Sequence, residues 1–132
     1  MEALKNLFLN LSNIFSLENR KGGFLAADAL IEATHQIDNP KQFDNRFFYD
    51  VKSNLDSKGH ILNQIVLKAS PFIKWSGSDL REGRIPEELA NQMPMAELIG
   101  PDGLYYNDTV RVGLWLQNKD IVYGPRQHEA EE

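Results

Sequence analysis

MAELIGPDGLYYNDTVRVGLWLQ, residues 95–117, is where the period of this chain changes. Within TVRVGLWLQ, Val110, Val112, Leu114 and Leu116 alternate with Arg111, Gly113, Trp115 and Gln117. That is the two-residue repeat of a strand with one buried face. MAELIG before it is a second strand candidate, and GPDG between them has the proline, aspartate and glycine of a turn. NKD at 118–120 offers a tight reversal, and IVYG after it begins a further strand. An antiparallel β region is predicted from residue 95 onward.

Upstream the apolar residues recur every three or four positions, the period of a helix with one buried stripe. Leu4, Leu7, Phe8, Leu11, Ile14 and Phe15 form the first stripe, and Lys21-Gly22-Gly23 reads as the break after it. Ala27, Leu30, Ile31 and Thr34 form the second, ending near Ile37-Asp38-Asn39-Pro40. Asn39 before Pro40 reads as the cap and first residue of a third helix, with Phe43, Phe47, Phe48, Val51 and Leu55 on its stripe. Ser57-Lys58-Gly59 breaks that pattern, and Ile61, Leu62, Ile65, Val66 and Ala69 form a fourth stripe that Pro71 ends or bends. The plan is α+β: a helical layer of about four helices over 1–75, a Gly-, Ser- and Pro-rich linker over 76–94, and strands over 95–132. The linker has room for at most a short helix at 86–91. Three short strands make a small sheet, which persists only with helices on one face and protected edges. Because the sequence stops where the last strand should pair onward, the β region is expected to be incomplete.

Bulk properties narrow the function classes. The formal net charge is −5 and the only adjacent basic pair is Arg20-Lys21. Nucleic-acid binding through phosphate neutralisation is not expected. No run approaches the ~18 apolar residues of a membrane span, and MEALKNLFLNLSNIF lacks the basic start of a signal peptide. A soluble cytoplasmic protein is the expectation. The absence of cysteine removes disulfides, thiolate metal sites and cysteine nucleophiles together.

The last ten residues, YGPRQHEAEE, are a polar cluster directly after a strand pattern. On an extended segment Arg126, His128, Ala130 and Glu132 would share one face. An imidazole and a carboxylate on that face suit a divalent cation, with zinc, iron, manganese and nickel equally compatible. The cluster reads either as half of such a site or as a solvated acidic tail. His35, near the end of the second helix, and His60, opening the fourth, read as surface or capping residues.

The stretch 95–132 resembles the entry into the barrel of the cupin-type dimethylsulfoniopropionate lyases. Those proteins have a helical N-terminal region and a strand leading to a Gly-Pro-Asp/Gly-Gly turn. A strand with a Val-Gly core follows, then Tyr-Pro-x-His-x-His-x-Ala-x-Glu-x-Tyr. Tyr123 matches the first tyrosine of that motif, His128 the second histidine, Ala130 the alanine and Glu132 the glutamate. Gly124 stands where proline is usual, and Arg126 replaces the first histidine. The closing tyrosine and a later histidine fall beyond Glu132. The helical part fits the family in layout only.

The resemblance implies a metal-dependent β-elimination on a small sulfonium carboxylate, giving dimethyl sulfide and acrylate, in a cupin-type β-barrel of which this chain holds the first strands. It implies a divalent transition metal held by His128 and Glu132, with Tyr123 either as base or as a strand tyrosine packing its ring at the barrel mouth. Arg126 is expected either to clamp the substrate carboxylate or to pair with a neighbouring glutamate. Trp115 is expected either to face the sulfonium, as aromatic rings attract onium cations, or to pack in the barrel wall. The chain as written would be a truncated, inactive portion of such a lyase. Two other readings stand beside this one. The first is a small α+β interaction protein, including a homodimer formed by strand addition. The second is a metal-binding cupin that is not a lyase.

Overall fold

The computed structural model of the chain describes residues 2–44, 51–52, 55, 61–77 and 94–116. The described helices are α1 (Glu2–Leu17), α2 (Lys21–Thr34) and α3 (Ile61–Ala69), with a 3-10 turn at Ser70–Phe72. Val51, Lys52 and Leu55 also have helical backbone. An antiparallel sheet follows, with strands β1 (Ser76–Gly77), β2 (Pro94–Ile99) and β3 (Val112–Trp115) in the order β1-β2-β3. The molecule is α+β, with the helical part first and the sheet after it. Among the described residues no helix is long and apolar enough to cross a membrane.

α1 buries Leu4, Leu7, Phe8 and Leu11, as its stripe predicts, while Ile14 at the edge of that stripe is turned out. α2 buries Leu30 among small residues, Gly23, Ala26, Ala27, Ala29, Ala33 and Thr34. This small face lets the two helices approach closely. The Ser12 hydroxyl, itself buried, donates to the Ala27 carbonyl at 2.9 Å across the interface. At Gly23 an added Cβ would lie 2.6 Å from the Phe15 carbonyl oxygen, so only hydrogen fits there. Ile31, one residue past Leu30, sits at the rim and is exposed.

Two boundaries differ from the sequence expectation. The break between the first helices falls at 18–20, not at Lys21-Gly22-Gly23, which lie inside α2. Asn19 takes φ 55 and ends α1 in the left-handed region that asparagine tolerates. The glycines serve close packing. Likewise no helix starts at Pro40. Asn39 has φ 50, the backbone of 40–44 is irregular, and the Phe43 N–H donates to the Pro71 carbonyl at 3.0 Å. A positive φ at Asn39 is incompatible with the extended backbone of an N-cap. Pro71 behaves as expected, since α3 ends at Ala69 and the chain turns through Ser70–Phe72.

The sheet pairs Ser76 with Met95 and Gly77 with Pro94, so both ends of the 78–93 segment are held side by side. β2 pairs with β3 through Met95–Trp115, Ala96–Leu114, Glu97–Gly113 and Ile99–Val112. Leu98 has no partner in that ladder and forms a bulge. As a result Leu98 and Ile99 are both buried, where strict alternation would expose one of them. The carbonyls around the bulge are used: Leu104 N–H donates to Glu97 and Tyr105 N–H to Leu98. Ala96, Leu98, Ile99 and Val112 close the core against Phe8, Leu30, Ala33, Val66, Ala69 and Ile73. The short helix envisaged at 86–91, the third stripe at Phe47 and Phe48, and everything after Leu116 lie outside the described residues.

Candidate functional site

Because β2 and β3 bury alternate residues against the helices, their other side chains point the opposite way. Met95, Glu97, Arg111 and Trp115 share this second face. Met95 and Trp115 are register partners and both are more than a third exposed. The Trp115 ring therefore lies on the side of the sheet away from the helical core, and it does not pack between helices and sheet. Beside it, the Glu97 carboxylate accepts the Asp102 N–H at 2.8 Å and lies 3.9 Å from the Arg111 guanidinium. Gly100, at φ 149, holds a backbone conformation that L side chains rarely adopt, beside the Glu97 carboxylate. Glu97 thus pins the GPDG turn from the open face. At 3.9 Å the Arg111 pair is long and solvent-facing, and contributes little to stability.

The other residues that the sequence points to are not brought into view. Tyr123, Arg126, His128 and Glu132 lie outside the described residues. Among the described residues no group of three or more His, Asp or Glu side chains is placed to hold a metal. His35 is exposed at the C-terminal cap of α2, as expected of a surface histidine.

A concave feature lies between the helical part and the turn that follows β2. Leu4 of α1, Pro40, Lys41 and Phe43 of the irregular segment, Phe72 of the 3-10 turn, and Leu104 and Tyr105 after the GPDG turn line a half-open cavity of about 160 Å³. Tyr105 is positioned by an edge-to-face contact with the buried Phe8 ring, centroids 5.8 Å apart. Burial raises the Tyr105 hydroxyl above its ordinary pKa, because the phenolate would lose hydration there. Lys41 sits 5.3 Å from the centroid of the Phe43 ring, within cation–π range. Sequence reading missed this group. Its members come from four separated segments, and Lys41 and Phe43 were assigned to a helix that does not form there. The lone tyrosine pair at 105–106 was the one available signal, since a large polar-tipped ring beside a turn often lines a cleft.

Neither a family model, nor a curated protein, nor a solved structure matches the chain.

Proposed function

We propose that this chain carries the helical layer and first barrel strands of a metal-dependent cupin lyase that cleaves dimethylsulfoniopropionate. The observation that carries the reading is the order of its motifs. A strand, the GPDG turn and a Val-Gly strand run directly into Tyr123, His128, Ala130 and Glu132 at the spacing of the family's metal motif. The antiparallel β2–β3 pair behind a helical layer is in keeping with that order.

In this reading His128 and Glu132 contribute two of the ligands, and the remaining ligands come from barrel strands after this segment. Their nitrogen and oxygen donors suit a divalent transition metal. A cation bound there would draw charge from a substrate carboxylate and acidify the adjacent C–H group. Tyr123 takes that proton onto its phenolate oxygen. The C–H electron pair forms the new double bond, the C–S pair leaves with dimethyl sulfide, and acrylate remains. Arg126 holds the carboxylate by two parallel hydrogen bonds. Trp115, on the face of the sheet away from the helices, offers its ring to the sulfonium, with Met95 its register partner.

The test is metal content together with dimethyl sulfide release, in a polypeptide that extends through the rest of the barrel. His128→Ala and Glu132→Ala should each lose the metal and the activity. Tyr123→Phe should keep the metal and lose at least ~100-fold in kcat, the usual scale for removing a general base. A folded, metal-free protein, or lyase activity indifferent to His128→Ala, would overturn the proposal.

A further inference from the structure

The cavity over Leu4, Phe72 and Tyr105 faces the helical side of the molecule and takes no part in the proposed metal motif. Its lining has a definite chemical character. Leu4, Pro40, Phe43, Phe72 and Leu104 are apolar, and Lys41 and Tyr105 are the described lining residues whose side chains carry a polar group. Both of those groups can donate hydrogen bonds, and no acidic side chain is among the described residues that line the space. Lys41 is an exposed residue, its ammonium 5.3 Å from the centroid of the Phe43 ring, and it is paired with no carboxylate among the described residues. The Tyr105 phenol, protonated at neutral pH as an ordinary tyrosine is, adds a neutral donor and no competing negative charge.

We propose that this cavity binds a small amphiphilic monocarboxylate, its apolar body in the cleft and its head group at Lys41. The volume sets the size of the body. A cavity of about 150 Å³ accommodates a benzene-sized molecule, so about 160 Å³ takes a body of roughly six carbons. One cation beside an apolar wall matches one negative charge. Among the described lining residues only Lys41 carries a positive charge, so a dianion such as a phosphate monoester would leave its second charge unmatched.

The experiment is a titration of the isotopically labelled chain followed by amide NMR, with hexanoate, hexanol and acetate as probes. Hexanoate should give saturable shifts confined to the neighbourhood of Lys41, Phe43, Leu104 and Tyr105. Each buried methylene is worth a factor of about 3–4 in affinity, so acetate should bind at least ~30-fold more weakly. Lys41→Met should weaken hexanoate by about tenfold, the scale of one lost charge-assisted bond, and leave hexanol unchanged. A purely structural role for Lys41 would move both ligands together. Equal affinity for hexanoate and hexanol, an unchanged hexanoate affinity in Lys41→Met, or shifts that never saturate would each overturn the proposal.

Discussion

Replacing Gly23 by alanine sets two effects of comparable size against each other. Alanine is the better helix former by up to about 1 kcal/mol, and Gly23 lies in the first turn of α2. Against this, the new Cβ would stand 2.6 Å from the Phe15 carbonyl oxygen, a backbone atom that cannot rotate away. To restore ordinary contact the helices must part by roughly 0.8 Å, and overpacking of this kind costs about 1–3 kcal/mol. Separation also stretches the buried bond from Ser12 to the Ala27 carbonyl, now 2.9 Å, at a further cost of up to about 1 kcal/mol. The expected net result is a loss of about 1–2 kcal/mol. Urea unfolding should show a lower midpoint with an unchanged slope, and thermal melting a fall of about 3–8 °C. Gly22→Ala gives a comparable propensity gain one residue earlier and serves as the reference. If Gly23→Ala proves as stable as Gly22→Ala, the close approach of α1 and α2 is not what glycine provides at this position.

Glu97→Ala should cost about 1 kcal/mol by releasing the Asp102 N–H from its acceptor and loosening the GPDG turn, whereas Arg111→Ala should stay within about 0.5 kcal/mol; denaturant midpoints of the two variants compare them directly. Tyr105 predicts an alkaline limit. Burial raises its folded-state pKa above the ordinary value of about 10, so its contribution is fully present below that pH and is lost as pH climbs towards the folded value. Urea midpoints collected from about pH 9 to 11 should fall less steeply in Tyr105→Phe than in the parent; parallel slopes would remove burial of this phenol as a cause.

The parts of this fold that could be read from residues alone are those where one period runs undisturbed. The stripes of α1 and α3 and the alternation from Val110 to Leu116 appear as helices and a strand, and GPDG is a turn. Misreadings came where one residue type serves two ends. Glycines that ordinarily punctuate a chain here permit two helices to touch. Asn39, a natural cap, instead adopts a left-handed φ that directs the next residues away from helix. The bulge at Leu98 was invisible because MAELIG satisfies a plain strand equally well. Of the site residues named from sequence, Trp115 has a face that could be anticipated from its parity with Arg111 and Gly113. The Lys41–Tyr105 cavity depends on contacts between distant segments, which no local pattern encodes.

The unpaired Leu98 has a consequence for how β2 can be mutated. Two consecutive apolar side chains enter the interior at that point, and the amides of Leu104 and Tyr105 are satisfied by carbonyls just before and at the irregularity. Deleting Ala96 would shift the parity of part of the strand and bring the acid of Glu97 towards the oily side. The same irregularity discourages the hairpin from sliding by one step, because a shifted partner would strand both amides and wet Leu98 or Ile99. A feature that looks like an interruption therefore acts as a latch on alignment.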